Sequence, residues 1–405
     1  MCVRIRASSS FWACPFAKPS GRVIRFGRLG GTSGHGAAVA SSGRLLATRV
    51  RKVPAITGPP LLPLTQGWHP ADHDLSSKGT AFFHRMSKIT GLHHITALGS
   101  DAQRLVEFYA GVLGLRLVKR TVNFDAPDVH HLYFGDGTGS PGTIITFFPY
   151  PGLVRGRKGR GQASVIMLSI GPASVDHWLK RLDHFQVEHE EPRDRWGGET
   201  YIPFADPDGL CLELVVDAND DRVGNPKGPV EAMHAIKGCF GITLSEDAHG
   251  PTAALLTSQL EHRQVQEEEG RFRYMSGSGA GGVVDIHCSK HDLRGLGGSG
   301  TVHHVAFSTP DDDGQASLRE RLAVAGFNVT SVMERQYFRS IYFREPGGVL
   351  FEIATATPGF LVDEQEHELG SALKLPPWAE AKREQIAEHL SPISLDLNQY
   401  RDPHA

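Results

Sequence analysis

The feature that most constrains this chain is a unit of one strand, one helix and three more strands that recurs four times. In its first copy, ITGLHHITAL predicts a strand, SDAQRLVEFYAGVLGL predicts a helix, and LRLVKRTVNF, VHHLYFGD and GTIITFFPY predict three further strands. The same order returns from residues near 162, 237 and 301. The sequence therefore predicts an α+β fold built from four βαβββ units.

These units divide the body of the chain at residues 88–160, 161–232, 233–298 and 299–357, which are called units 1 to 4 below. Residues 358–405 form a C-terminal tail for which a short helix is predicted. In unit 1, Ser100 and Gln103 have the spacing of a capping box at the start of the helix, and Gly114 suits its end. The basic loop RGRKGRG (155–161) is predicted to be a solvated linker.

The first 85 residues differ in charge from the rest. They hold 12 of the 42 Lys and Arg residues but only 2 of the 45 Asp and Glu residues, which leaves a net charge of -13 on the remainder. An Arg-rich, acid-poor segment is interpreted here as a disordered or targeting leader, or as a mis-called start upstream of Met86. The acidic remainder argues against nucleic acid as a partner.

Two further features bear on location. No run approaches the roughly 18 apolar residues that a membrane span requires, so no membrane association is expected. The five cysteines are scattered and form no CxxC pair, which favours a reducing, cytoplasmic compartment. The sequence is also compatible with a homo-oligomer.

The repeat can be checked by spacing. Aligning FADPDGLCLEL with FREPGGVLFEI places Glu213 opposite Glu352, and aligning SVIMLS with HHVAFS places Val165 opposite His304. Val165 and Glu213 are separated by 48 residues, and so are His304 and Glu352. One position early in the first strand and one in the last strand thus recur at fixed places in the unit.

Those positions carry metal-binding residue types in units 1 and 4. Alternate residues of a strand share a face, so His94, His304 and Glu352 can converge if units 1 and 4 face each other. Two imidazoles and one carboxylate form the facial triad of non-haem iron sites, which leaves positions open for substrate and dioxygen. A Glu inside the apolar run VLFEIAT would be costly to bury without a partner, and a metal removes that cost.

The other copies lack the full set. Val165 and Gly241 stand at the histidine position in units 2 and 3, and Thr146 stands at the Glu352 position in unit 1. Glu213 has no histidine partner and is interpreted as a structural carboxylate. His130 and His131 match no ligand position, and whether they line the pocket is left open.

These motifs resemble the vicinal oxygen chelate superfamily, which includes glyoxalases, bleomycin-resistance proteins and type I extradiol dioxygenases. GLHHITA, HHVAF, RQYFRSIYFREPGGVLFEIAT and PPWAEAKREQI look most like its hydroquinone ring-cleaving branch. The resemblance covers about residues 88 to 392. It implies two domains with curved mixed sheets that enclose a metal site shared by units 1 and 4. The sequence departs from the branch at HHLYFGD, where a Tyr-His pair is more usual.

The resemblance also implies which residues do the chemistry. Fe(II) would be bound by His94, His304 and Glu352, although such ligands accept Mn(II) too. Surrounding residues would be His93, Thr96, His303, Arg335 and Tyr342. Of these, His303 and Tyr342 are candidates for proton transfer, and Arg335 for orienting Tyr342 or offsetting developing negative charge. The first histidine of each HH pair is expected to point off the opposite strand face or to hydrogen-bond a neighbour at the edge of the site.

The resulting prediction is O2-dependent opening of an aromatic diol ring, with the diol and O2 as partners. A hydroquinone is expected, with a catechol-type diol as the alternative. In the catechol-cleaving members of the superfamily the ligands come from units 3 and 4, whereas here the first histidine comes from unit 1, and this pairing of units 1 and 4 resembles the hydroquinone branch. One alternative is a metal-dependent isomerase or lyase of the glyoxalase type, which would need a carboxylate where Thr146 stands. Another is a non-catalytic binder that sequesters a small molecule.

Overall fold

In this computed structural model the described residues are 88–277, 281–289 and 292–401, so the predicted leader lies outside them. Each unit contains one helix and four strands in the predicted order. The elements of units 1 and 2 are β1 (Gly91–Gly99), α1 (Ala102–Val106), β2 (Arg116–Asn123), β3 (Ala126–Gly135), β4 (Ile144–Pro149), β5 (Gln162–Ile170), α2 (Val175–His184), β6 (Arg193–Arg195), β7 (Glu199–Ala205) and β8 (Cys211–Val216).

The second half of the chain repeats this order. The elements of units 3 and 4 and of the tail are β9 (Gly238–Glu246), α3 (Gly250–Ser258), β10 (Arg263–Glu268), β11 (Arg271–Met275), β12 (Val283–Cys288), β13 (Thr301–Thr309), α4 (Asp312–Val324), β14 (Met333–Glu334), β15 (Phe338–Arg344), β16 (Leu350–Pro358) and α5 (Arg383–His389). The predicted α+β fold of βαβββ units is therefore confirmed.

The strands form two curled mixed sheets of eight strands each. Strands of units 4 and 1 make one sheet in the order β14-β15-β16-β13-β1-β4-β3-β2. Strands of units 3 and 2 make the other in the order β10-β11-β12-β9-β5-β8-β7-β6. In each sheet the first strands of the two units pair antiparallel, β1 with β13 and β5 with β9. This pairing puts unit 1 beside unit 4.

The start of α1 differs from the predicted capping box. The carboxylate of Asp101 caps the helix by accepting the backbone N–H of Arg104 at 2.9 Å. The Ser100 hydroxyl instead donates to Asp208, and the amide of Gln103 donates to Glu107. The capping-box prediction was wrong because Ser100 bonds a residue of unit 2 and Gln103 bonds a residue of its own helix, so neither side chain caps the helix.

The helix of unit 1 changes character after its first turns. Beyond α1 the backbone continues as a wider π-type helix over Glu107–Val112. It ends before Gly114, whose φ of +72° suits glycine. Apolar side chains of this helix, among them Leu105, Phe108 and Tyr109, are buried, and the ring of Tyr109 lies 4.6 Å from that of Phe147 on β4.

The basic loop 155–161 is more than a solvated linker. Its backbone pairs with the segment that joins units 3 and 4, through bridges from Arg155 to Ser299 and from Arg157 to Leu296. A Cβ at Gly159 would lie 2.0 Å from the Leu293 carbonyl oxygen, so the close approach requires glycine. The two connections between the sheets are thus tied to each other.

A buried lysine attaches the tail to unit 1. The side chain of Lys119 is fully buried and its ammonium group donates to Glu364 and to Asp363, the latter at 2.5 Å. Tyr337 donates its hydroxyl to the same Asp363 at 3.0 Å. A buried charge is tolerated where it is paired in this way. Within the part of the chain that is described, no helix combines the length and apolar character needed to span a bilayer.

Candidate metal centre

Each HH pair lies at a β-bulge in the β1–β13 ladder. The register of this antiparallel pair skips one residue between Leu92 and His94, where His93 is the extra residue. It skips again on the partner strand, where His303 is extra between Val302 and His304. A bulge re-aims the neighbouring side chain. The simple alternation used for the sequence prediction therefore breaks at both first histidines.

The three predicted ligands meet between β1, β13 and β16. Nε2 of His94 lies 3.2 Å from Nε2 of His304, and the Glu352 Oε2 atom lies 3.5 and 3.0 Å from these nitrogens. All three side chains are buried. Among the described residues, these three also form the one group of candidate ligands whose atoms lie within 4.8 Å of one another.

The electrostatics of the group fit a cation. No donor in the described residues is aimed at Glu352 Oε2, although that atom is buried. Burial alone would raise the pKa of Glu352, yet the imidazoles of His94 and His304 hold it well below its ordinary value. A buried, ionised carboxylate with an unsatisfied oxygen facing two imidazole nitrogens is the donor set that a divalent transition metal accepts.

The first histidine of each HH pair is hydrogen-bonded to the second. Nδ1 of His93 lies 2.9 Å from Nδ1 of His94, and Nδ1 of His303 lies 2.8 Å from Nδ1 of His304. Burial is the main cause that lowers the pKa of His93 to about 3 and that of His303 to about 4. Both are therefore neutral at pH 7. If the ligands offer Nε2 lone pairs, their Nδ1–H groups donate to the preceding histidines.

A cavity of about 320 Å³ opens beside the three residues, and His94 and His304 are among the residues that line it. Of the predicted surrounding residues, His303, Arg335 and Tyr342 line this cavity. His93 and Thr96 do not: the His93 ring packs on Phe338, 4.9 Å between ring centres, and Thr96 bonds Thr146 at 2.9 Å between hydroxyl oxygens. The structure thus brings three of the five to the cavity, and the other two are not among the residues that line it.

Arg335 and Tyr342 are in contact, as the resemblance implied. The guanidinium Nε donates to the Tyr342 hydroxyl at 3.2 Å, and Nη2 lies 3.5 Å from the exposed carboxylate of Asp125. Burial is the largest cause that raises the pKa of Tyr342, and Glu352 adds to it. Since a guanidinium only donates, the tyrosine oxygen accepts this hydrogen bond.

Residues 91–214 and 236–353 match the sequence-family model of the Glyoxalase/Bleomycin resistance protein/Dioxygenase superfamily, and they include all three candidate ligands. The chain belongs to this superfamily. Structural similarity agrees with that membership. Glyoxalase I from Zea mays has a TM-score of 0.51 at 15% identity, over 66% of this chain and 92% of that one, which concerns the fold alone.

Other members of the superfamily are much more similar in sequence. MhqO of Bacillus subtilis (strain 168), provisionally named a ring-cleaving dioxygenase, is 43% identical over 76% of this chain and 98% of its own length. The chlorohydroquinone/hydroquinone 1,2-dioxygenase of Sphingobium indicum is 34% identical over 74% of this chain and 95% of its own length. A solved B. subtilis structure, provisionally described as a dioxygenase, has a TM-score of 0.74 at 43% identity, over 76% of this chain and 99% of that one.

In the other eight-stranded sheet, which is formed by units 2 and 3, Glu213 stands at the position of Glu352 and has an ion-pair partner in place of histidines. Glu213 accepts Nη1 of Arg195 at 2.6 Å, and the same guanidinium donates to Glu199 at 2.5 Å. Nη2 of Arg195 lies 3.2 Å from the sulfur of Met167. Glu213 is thus ion-paired in a buried network, as expected of a structural carboxylate.

Sequence reasoning missed or left open several residues at the site. Ser340 donates to Glu352 Oε1, and it lies two residues before Tyr342 on β15, so strand alternation could have indicated it. Phe338 packs 5.0 Å from the His94 ring, for which no motif gave a signal. His131 lines the cavity with Tyr133, whereas the His130 ring bonds the Ser391 carbonyl in the tail and is not among the cavity-lining residues.

Proposed function

We propose that the protein is an Fe(II)-dependent dioxygenase that opens the ring of a hydroquinone-type diol with O2. The observation that supports this most is the unsatisfied Glu352 oxygen beside two imidazoles that line the cavity. The name of the S. indicum relative, a hydroquinone 1,2-dioxygenase, gives the substrate class and the reaction. A cytoplasmic location remains a prediction from the cysteine pattern.

His94, His304 and Glu352 would hold the iron. When bound, Fe(II) supplies a redox-active centre at which the phenolate and dioxygen can be brought together. Three protein ligands leave coordination positions open, and the cavity beside them is large enough for a single-ring aromatic, since small-molecule pockets start at about 300 Å³.

The residues around the ligands would fix the proton positions. With His304 using Nε2 for the metal, its Nδ1–H donates to Nδ1 of His303, so the remaining proton of His303 is on Nε2. His303 lines the cavity and would donate this proton in a hydrogen bond. Tyr342, whose oxygen accepts from Arg335, would offer a second donor. Two donors aimed into one cavity would stabilise negative charge that develops on oxygen.

The glyoxalase-type alternative is less well supported. It needs a second carboxylate at the Thr146 position, but the Thr146 hydroxyl bonds Thr96 and His131, at 2.9 and 2.8 Å. A non-catalytic binder would not need two imidazoles and an ionised carboxylate brought together beside its cavity.

The test is oxygen uptake by protein loaded anaerobically with Fe(II), or with Mn(II) for comparison. We expect hydroquinone and methylhydroquinone to be consumed with a higher kcat/KM than catechol, and the Fe(II)-loaded Glu352→Ala variant to be inactive. A higher kcat/KM for catechol would contradict the para-diol assignment. Absence of oxygen uptake with every diol tested would contradict the dioxygenase itself.

A further inference from the structure

Tyr133 is a second tyrosine, besides Tyr342, that lines the cavity. The sheet order places the ligand strands β16, β13 and β1 in the middle, with β15 on one side and β4 and β3 on the other. Tyr342 on β15 is paired directly with Glu352. Tyr133 on β3 is paired with Thr146, two strands from β1. Because the sheet is curled, both tyrosines line the same cavity.

A single row of cross-strand neighbours connects Tyr133 to the ligands. Its register runs from His304 to Thr96, from Thr96 to Thr146, and from Thr146 to Tyr133. Residues paired across neighbouring strands share a sheet face, and adjacent strands are about 4.8 Å apart. Tyr133 therefore stands on the ligand face but two strand spacings from the nearest ligand strand.

The hydroxyl of Tyr133 is hydrogen-bonded to His131, whose ring is hydrogen-bonded in turn to Thr146. The Tyr133 hydroxyl lies 2.9 Å from Nδ1 of His131, and Nε2 of His131 lies 2.8 Å from the Thr146 hydroxyl oxygen. The His131 ring also packs between the rings of Tyr133 and Phe148, with ring centres 4.0 and 4.4 Å away. Both nitrogens of His131 are thus engaged, and the position of the Tyr133 hydroxyl is fixed.

That hydroxyl keeps unused hydrogen-bonding capacity. In the described residues its one partner is His131. If the hydroxyl donates to Nδ1, its lone pairs remain; if Nδ1–H donates, the hydroxyl proton remains. Tyr342 differs, because its ring stands 5.9 Å from that of His304 and its oxygen is committed to Arg335. A polar group that lines the cavity, lies two strand spacings from the nearest ligand strand and is positioned in advance suits the far end of a bound substrate.

We propose that Tyr133, held in place by His131, hydrogen-bonds the ring hydroxyl farthest from the metal-bound oxygen and so makes the site specific for para-diols. This inference rests on the proposed function. An ortho-diol places both hydroxyls beside the metal and leaves Tyr133 without a partner. A para-diol carries its second hydroxyl across the ring, towards the β3 wall.

The test measures binding without turnover. Metal-loaded protein is titrated anaerobically by calorimetry with hydroquinone and with 4-methylphenol, which keeps one hydroxyl and lacks the other. We expect Tyr133→Phe to weaken hydroquinone binding about tenfold, the worth of one hydrogen bond, and to leave 4-methylphenol binding and metal content unchanged. His131→Phe should weaken hydroquinone binding too, whereas His131→Asn, with an amide near the Nδ1 position, should restore part of it.

A matched control is Tyr337→Phe, which removes a buried hydroxyl that bonds Asp363 and is not among the residues that line this cavity. It should not alter the ratio of the two affinities. Equal weakening of both ligands in Tyr133→Phe, or no weakening, would overturn the role of Tyr133. A Tyr133-dependent preference for hydroquinone in a protein that consumes no oxygen with any diol would overturn the proposed function alone. Failure of the wild-type protein to bind either phenol would overturn both.

Discussion

Glu246 at the end of β9 and Glu345 just beyond β15 share one hydroxyl group. The Thr252 hydroxyl oxygen lies 2.7 Å from Glu246 Oε2 and 2.6 Å from Glu345 Oε2. A hydroxyl has one proton to donate, so the second contact requires a proton on a carboxyl group. Both oxygens of Glu345 also accept backbone N–H groups, from Gly347 and Val349, so Glu345 acts as an acceptor on each oxygen. Glu246 is therefore the protonated member.

This pair predicts a loss of stability as the pH rises. Burial, and then the charge of Glu345, raise the pKa of Glu246 from 4.5 to about 8. Because the folded state binds the proton more tightly than the unfolded state, the contribution is complete below pH 4.5 and is lost as the pH approaches 8. We expect Glu246→Gln to be more stable than wild type by on the order of 2 kcal/mol at pH 8.5 and to match it near pH 4.5.

The measurement is urea unfolding of both proteins across this pH range. The difference between the two removes the effect of groups that titrate in both. A stability difference that stays constant with pH would show that folding does not shift the pKa of Glu246, which would contradict this prediction.

Loss of any proposed ligand should remove the metal. We expect His94→Ala, His304→Ala and Glu352→Ala to lower metal affinity by more than the roughly 10–100-fold typical of outer partners, because each deletes a direct donor. Metal content by mass spectrometry checks this, with oxygen uptake as the second readout. Wild-type iron content in His304→Ala would contradict the assignment.

Glu213 stands at the position in the other sheet that matches Glu352, so its substitution is the control for loss of a metal ligand. Glu213→Gln should leave metal content unchanged, because its partner is Arg195 and no imidazole. It should lower the free energy of unfolding by about 1–3 kcal/mol, less than for a fully orphaned buried charge, since Arg195 keeps Glu199. Thermal unfolding measures the loss. A variant that is fully stable but depleted of metal would contradict this structural role.

The first histidine of each pair should act through the second. His93→Leu removes the acceptor at Nδ1 of His94, and we expect metal affinity to fall about 10–100-fold. His93→Asn keeps an oxygen acceptor near the Nδ1 position and should bind metal almost as wild type does. Competition with a chelator measures both affinities. Equal loss in the two variants would point to packing against Phe338 as the role of His93.

Tyr342 should matter for turnover more than for metal binding. Its ring lies beside His304, and its hydroxyl contacts Arg335 and no ligand atom among the described residues. We expect Tyr342→Phe to lower kcat roughly 10²-fold or more, as loss of a proton donor does, at unchanged iron content. Stopped-flow turnover of iron-loaded variants provides the measurement. Iron loss that parallels the loss of kcat would assign Tyr342 to metal retention.

The sequence by itself determined the unit order, the two HH pairs and the carboxylate at Glu352. These features are local: the alternation of apolar residues defines each strand, and the 48-residue spacing relates the copies. The buried ion pair of Glu213 also fits the structural role inferred from its missing histidine partner.

The tertiary structure alone decided how the first histidines and the cavity wall are used. The bulges at His93 and His303 depend on the register between β1 and β13, which are about two hundred residues apart in the chain. Alternation within either strand alone therefore could not predict how these two side chains are directed. Likewise, Tyr133 and His131 reach the cavity because β3 pairs with β4 and the sheet curls. Strand periodicity encodes which face a residue occupies, but the pairing of distant strands decides what that face meets.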